Sequence, residues 1–561
     1  MNATRTAIAL AIASIYASGA SAAIFSSSHA WTFNHTAANG SNSMGSEIVA
    51  FDATNERLWV AGTDANQAKL GLGGVDVLDL SGNLVSSFST SLLGGINSVA
   101  VKNNQAAIAL TAPTKTDPGL VRFFNAGTTA LTASTKTDPG LVRFFNAGTF
   151  AQLADVTVGA NPDAVTYTPD GSRLLVANEG EPLSYLVGPS GDPDGSVSII
   201  NSTTFLAQTA GFSGLNGQAV VLKAAGVRLN GPNASVAQDL EPEYIAISAD
   251  GKTAVATLQE ANSLAFIDID TAAVLGIKSL GLKDHSLLGN GFDASDRDGP
   301  GITVRDGNIQ NWNVFGLYMP DGIASFERAG QQFYITANEG DSRSDWPGGN
   351  DEFRIGDAAF TIDPALNASL TAAHGADWKT NNDKLSRLSA TNTGDTDGDG
   401  DQDRIEIFGG RSFSILDAAG NRVFDSGDQL EQIIKAQFPG LWDDTRSDNK
   451  GPEPESAVVG NINGVDLLFL GLERSNAIMV WDISNFQNIQ FLDMLFTGGD
   501  VGPEGLSFFN SSQGSFLAVA NEVSETTSLY RVNAHVPAPS VLSVLGGAFL
   551  LAAGMRRRRS N

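Results

Sequence analysis

Cysteine is absent from the 561 residues, and histidine is scarce at five. The first absence excludes disulfides, thiolate metal sites and a cysteine nucleophile. The five histidines (His29, His35, His285, His374, His535) are scattered, and no two have the spacing of a zinc motif. Any metal must therefore be a hard cation held by oxygens. Basic residues are also few. Lys and Arg total 34 against 61 Asp and Glu, a formal charge of −27. Such a chain lacks the basic face that nucleic acid or anionic lipid headgroups require. No Gly-x-Ser-x-Gly, P-loop or dinucleotide fingerprint occurs. What is present is 61 Gly, 20 Pro and 42% hydrophobic residues. That balance suits a turn-rich globular chain with a sizeable core, not a disordered one.

The two ends read as addresses. In residues 1–22, Arg5 is the only charge, an apolar run follows from Ala7, and Ala20-Ser21-Ala22 forms an A-x-A cleavage site. This segment is expected to be a secretory signal. At the other end, residues 536–561 hold Val536-Pro537-Ala538-Pro539, an apolar stretch from Ser540 to Met555, and Arg556 to Arg559. Sixteen apolar residues are short for a membrane span, and the Arg cluster stays cytoplasmic. The layout resembles a PEP-CTERM sorting tail of Gram-negative bacteria, with Ala538 where the middle Glu usually stands. That resemblance implies an exosortase-type peptidase as a processing partner and a transient transmembrane helix as anchor. Without both ends the chain loses five Arg and no acid, leaving a charge of about −32.

Between the ends a unit recurs: Pro, an acid, alternating apolar residues, a turn, a second apolar strand, and a polar or acidic end. Copies run from Pro162-Asp163 to Asn178-Glu179, from Pro242-Glu243 to Leu258, and from Pro320-Asp321 to Asn338-Glu339. Two more run from Pro454-Glu455 to Leu472-Glu473 and from Pro503-Glu504 to Asn521-Glu522, with looser copies near Glu47 and Ser98. Period-two alternation predicts strands, and Asp170-Gly171 and Asp250-Gly251 predict tight hairpin turns. A third strand follows at 196–200, 264–268 and 477–482. Seven small antiparallel sheets in one chain predict an all-β fold, a seven-bladed propeller over 23–533 of the YVTN or WD40 repeat type. Two β-sandwiches are the alternative. Insertions are expected near 202–238, 271–319 and 341–410. The segment 114–128 recurs identically at 135–149, and one copy is expected to form a blade strand.

Two acidic constellations stand out. Asp395, Asp397, Asp399, Asp401, Asp403 and Glu406 occupy positions 1, 3, 5, 7, 9 and 12 of a calcium-loop register, with Gly400 at position 6. The flanks are not helical, so a structural Ca2+ loop without EF-hand helices is expected, against a solvated acidic loop as the plain alternative. The second set is distributed. Asp163, Glu243, Asp321, Glu455 and Glu504 each follow a Pro at the start of a first strand, which lines a propeller's channel. Glu179, Glu339, Glu473 and Glu522 end the second strands. Clustered carboxylates call for a cation, for protons, or for pairing with Arg343, Arg411, Lys450 or Arg474. A second metal site on these nine residues is one expectation, and ion pairing is the other.

The segments Val158–Asp163, Ala177–Pro182, Leu282–His285, Ala337–Arg343, Gly410–Ile415, Lys450–Glu455, Gly471–Arg474 and Gly502–Gly505, taken in order, resemble the choice-of-anchor I family. The resemblance covers about residues 45–533. It implies a secreted or surface β-propeller similar to the mesenchyme-specific cell surface glycoprotein group. It implies little about activity. Two functions follow. One is an exported, calcium-stabilised surface protein that binds extracellular polysaccharide or surface proteins. The other is a calcium-dependent phosphoesterase, alkaline phosphatase- or phytase-like, using Glu455, Glu504, Asp321 and Arg474, with Arg343 and Arg411 as further phosphate clamps.

Overall fold

The alternating apolar runs form strands because successive side chains point to opposite faces. In the second strand of the third unit, Leu174 and Val176 pack to one side while Leu175 and Ala177 pack to the other. Both faces are apolar, so every sheet must be covered on both sides. A ring of sheets meets that demand. The computed structural model describes residues 23–36, 45–63, 73–89, 95–111, 137–186, 191–298 and 307–536.

Seven four-stranded antiparallel sheets follow one another along the chain. Blade 1 holds Ile48–Asp52, Arg57–Thr63, Gly73–Asp79 and Leu84–Ser89; blade 2 holds Ile96–Lys102, Gln105–Leu110, Pro139–Asn146 and Gln152–Ala160. Blade 3 holds Pro162–Tyr167, Arg173–Asn178, Ser196–Asn201 and Ala207–Gly211; blade 4 holds Pro242–Ile247, Thr253–Leu258, Ser263–Asp268 and Ala273–Ser279. Blade 5 holds Ile323–Arg328, Gln331–Asn338, Ser412–Asp417 and Arg422–Asp425; blade 6 holds Pro454–Ile462, Val465–Leu472, Ala477–Asp482 and Gln490–Leu495. Blade 7 holds Pro503–Ser511, Gly514–Asn521 and Thr526–His535, and takes its outer strand, Ile24–Asn34, from the other end of the described chain. The first strands of neighbouring blades touch in sequence, and blade 7 touches blade 1. Each of the seven junctions buries its own apolar cluster. The fold is a seven-bladed β-propeller, and the ring is closed by pairing the two ends of the body. The sequence pattern did not reveal that closing strand.

The insertions are not independent. Parts of 271–319 and 341–410 share one five-stranded sheet, in the order Leu282–Asp284, Phe315–Leu317, Glu406–Ile407, Ser389–Thr391, Glu352–Arg354. It covers a core of its own around Trp312, Phe360, Leu370 and Trp378. Two- or three-residue strands cannot bury a face alone, so the two insertions supply each other's missing surface. The insertion near 202–238 contributes Phe212, Val227, Val236 and Ala237 to the junction of blades 3 and 4.

The second copy of the duplicated segment supplies Pro139–Asn146 of blade 2; the first, 114–128, lies outside the described residues. So do the signal segment 1–22 and all of the sorting tail beyond Val536. Among the described residues no helix is long and apolar enough to cross a membrane.

Candidate metal centre

A bulge repeats at the head of the inner strands. Pro162 pairs with Asn178 but Val165 pairs with Val176, so one residue is extra on the inner strand. The same slip occurs between Pro242 and Ile245, Pro454 and Ala457, and Pro503 and Leu506. Asp163, Glu243, Glu455 and Glu504 lie inside these bulges, which redirect a side chain out of the ladder. The residue before each Pro in blades 3, 5, 6 and 7 is left-handed: Asn161, Met319, Glu453 and Gly502 have φ of 45°, 43°, 50° and 69°. In three of them its carbonyl accepts the N–H of the acid ending the second strand, Glu179, Glu473 or Glu522. One local motif thus sets both acids of a blade.

The result is a ring. Glu47, Asp163, Glu243, Asp321, Glu455 and Glu504 come from six blades, and Asn97 stands at the same place in blade 2. Burial, reinforced by the other carboxylates, pushes Glu243, Asp321, Glu455 and Glu504 well above the usual carboxylate range. Burial pushes Glu47 and Asp163 up to about 7. Oε2 of Glu243, of Glu455 and of Glu504 is buried with no hydrogen-bond partner. One oxygen each of Asp321, Glu339 and Glu455 lies within 4.8 Å of the others. Tyr244, beside Glu243, feels Asp321, Glu504, Asp163 and Glu455 together, so the ring converges near it.

Bases reach two of the second-strand acids, Glu339 and Glu473, and also Glu453 ahead of Pro454. Lys450 Nζ lies 2.6 Å from Glu339 and 3.5 Å from Glu453. Arg446 lies 2.6 Å from Glu453, and Arg474 bridges Glu453 at 3.4 Å and Glu473 at 3.1 Å. Glu453 is fully buried, and burial raises its carboxyl, but Lys450 and Arg446 outweigh that and leave it below its ordinary value. In blade 4, Gln259 stands where blades 3, 5, 6 and 7 carry Glu, and donates to Glu339 at 2.9 Å. Glu179 accepts from Asn161 at 2.5 Å. Ion pairing therefore accounts for Glu339, Glu453 and Glu473, but not for the inner ring.

Two expected phosphate clamps are not available. Arg343 is 3% exposed, and its guanidinium binds Glu241, Asp239 and Tyr185. Arg411 is 2% exposed, pairs with Glu431 at 3.1 Å, and donates to the carbonyls of Asp293, Ser447 and Asn449. Their side chains hold loops together. Arg474, 39% exposed at its side chain, is the one of the three that keeps access to solvent. His285 is buried, its Nδ1 donates to the Asn290 carbonyl over 2.6 Å, and burial holds it well below its ordinary value; its place is structural.

The acidic loop divides into two groups. Oxygens of Asp395, Asp397 and Asp399 lie within 4.8 Å of one another, and those of Asp401 and Asp403 group with Asp363 instead. Asp395 accepts the N–H of Gly398 and Gly400 at 2.7 and 3.0 Å. Glu406 stands apart from both groups. It is in the five-stranded sheet built by the two insertions, 2% exposed, and occupied by Arg404 at 2.5 Å and Thr393 at 2.5 Å. A bidentate twelfth ligand is therefore absent from this arrangement.

Sequence reading did not single out Glu241, Glu260, Asp341 and Glu453, which also crowd this end. Glu453 was visible as the first acid of Pro452-Glu-Pro-Glu455. Glu47 lacks the preceding Pro that flagged its counterparts, and Asn97 lacks both Pro and charge.

With this geometry in hand, the chain's relatives are informative. The Choice-of-anchor I domain matches residues 127–486, and the chain belongs to that family. A mesenchyme-specific cell surface glycoprotein of Strongylocentrotus purpuratus is 25% identical over 41% of this chain and 33% of its own length. Gigasin-3a of Magallana gigas is 31% identical over 18% of this chain and 40% of its own. The chain thus spans only a third to two fifths of the curated relatives it matches. Among solved structures, Kuenenia stuttgartiensis hydrazine synthase aligns with 88% of this chain and 96% of its own at 12% identity and a TM-score of 0.42. The Pan2 WD40 domain of Neurospora crassa aligns with 90% and 94% at 9% identity and the same score. Likenesses so low add nothing to what the sheet order itself shows.

Proposed function

We propose that this chain is an exported β-propeller of the cell surface that binds, and that its channel mouth holds a divalent cation. Membership of the choice-of-anchor I family and the likeness to a surface glycoprotein support the address. The observation that carries the binding site is the inner ring: six blades aim a carboxylate at one place, and three of them leave a buried oxygen without a partner. Like charges at this density stay ionised only beside a cation. Oxygen-only donors suit calcium, which accepts six to eight of them in irregular geometry. A chain of charge −27 repels acidic polymers, whereas a cation at the channel mouth would bridge to them. The favoured partner is therefore an acidic extracellular polysaccharide, bound through calcium. The calcium loop at 395–403 belongs to the same proposal as a stabilising element, without Glu406 as ligand.

Arg474 sustains the second reading, a calcium-dependent phosphoesterase, because it stays accessible beside Glu473. One experiment separates the two. The full chain is sedimented with a uronic-acid polysaccharide in calcium and in chelator, and assayed with a chromogenic phosphomonoester. Calcium-dependent co-sedimentation, lost in Glu455→Gln/Glu504→Gln, supports binding. Co-sedimentation indifferent to chelator sinks it. Chelator-sensitive turnover abolished by the same double variant establishes the phosphoesterase instead.

A further inference from the structure

A second group of carboxylates meets away from the channel. Asp293 and Asp298 lie on the loop that follows His285, and Asp444 lies in the short turn before Lys450. One oxygen from each falls within 4.8 Å of the other two. Asp293 is 1% exposed, yet its Oδ2 has no hydrogen-bond partner, and neither carboxylate oxygen of Asp298 has one. Nearby bases are committed elsewhere. Arg411 donates to the backbone carbonyl of Asp293 and to Glu431. Lys435, whose charge Asp298 feels, donates to the carbonyl of Gly307. Burial, and then Asp298, push Asp293 up to about 7. An orphaned buried carboxylate oxygen is costly unless something positive sits against it.

We propose that Asp293, Asp298 and Asp444 bind one hard divalent cation of the calcium type. Three carboxylates offer up to six oxygens, within the range calcium takes, and the group contains no nitrogen or sulfur donor that would favour zinc. The ion would staple the satellite lobe to the turn that also carries Arg446 and Lys450, the bases of the channel mouth. The site is separate from the inner ring and from the 395–403 loop, and needs neither to be correct.

Trp442 gives the site its own reporter. Its Nε1 donates to Asp444 Oδ1 over 3.2 Å, so a lanthanide bound there is sensitised by indole excitation. The full chain is titrated with terbium, and the emission is competed with calcium. Emission is expected, with Asp293→Asn and Asp298→Asn each weakening terbium and calcium by about tenfold or more. Trp442→Phe should remove the emission while calcium binding, read by calorimetry, persists, and Asp395→Asn should leave the emission intact. Far-UV circular dichroism checks each fold. If Asp293→Asn does not fold, Asp298→Asn and Trp442→Phe decide the matter. Absence of indole-sensitised emission in the unaltered chain would mean that Asp293 and Asp298 share a proton, and would overturn the site. So would emission and calcium affinity that neither Asp variant changes.

Discussion

At the scale of the residue, the inner acids behave opposite to surface acids. Burial raises their proton affinity in the folded chain, to about 7 for Glu47 and Asp163, and it also carries Glu243, Asp321, Glu455 and Glu504 well above the usual carboxylate range. A carboxyl with a raised folded value binds its proton more tightly folded than unfolded. Its contribution is therefore complete below about pH 4 and is lost as pH rises through the folded value. In chelator, the melting temperature should fall between pH 5 and 7.5, by roughly 2 °C if the net loss is about 2 kcal/mol. Calcium should restore it at pH 7.5 and do little at pH 5. A melting temperature flat across that range in chelator would mean the ring is not buried as described. Glu453, lowered by Lys450 and Arg446, acts in the reverse sense and loses its contribution only in acid below about pH 4. Arg411 provides a second test at this scale. Arg411→Met leaves Glu431 buried without its base, and should cost about 3–5 kcal/mol in chemical denaturation.

At the scale of the element, the inner strands approach closely where the acids sit. Gly322 follows Asp321, and a Cβ there would lie 2.5 Å from the carbonyl oxygen of Glu455 in the next blade. Gly505 follows Glu504, and its Cβ would lie 2.4 Å from the carbonyl of Glu47. The same closeness lets Gly322 donate its N–H to Glu455 O at 2.9 Å. Gly322→Ala and Gly505→Ala should each destabilise by about 1–3 kcal/mol, since the contact is with backbone that cannot rotate away. Gly330→Ala, at a hairpin with open space around it but φ of 75°, should cost less than either in the same denaturation series. The Pro-acid heads, the hairpin glycines and the third strands were legible in the sequence, because each is a local property of a few consecutive residues. The satellite sheet was legible only as two separate insertions. Its strands are two or three residues long, and the pairing that joins the two insertions, Phe315 with Glu406, bridges residues far apart in the chain.

At the scale of the whole molecule, stability depends on closure. The strand Ile24–Asn34 pairs along its length with Thr526–His535 and completes blade 7. Deleting residues 24–34 should lower the melting temperature and expose a sheet edge, with aggregation measurable by light scattering. A variant that stayed monomeric and equally stable would contradict closure by this strand.

The sequence by itself determined the blade: period-two alternation, a Pro-acid head, a tight turn and an acidic end. It also excluded thiolate metal sites, since the chain has no cysteine, and pointed to oxygen donors for any metal. Tertiary structure alone decided which acids are paired and which are not. Glu339, Glu453 and Glu473 meet Lys450, Arg446 and Arg474, while Glu243, Glu455 and Glu504 of the inner ring each keep a buried oxygen without a partner. It alone brought Asp444 to Asp293, and it took Glu406 out of the calcium register and gave it to Arg404. The reason is one of range. Strand and turn preferences act between neighbours in the chain, whereas charge and desolvation depend on distance through space, which is set only when the ring closes.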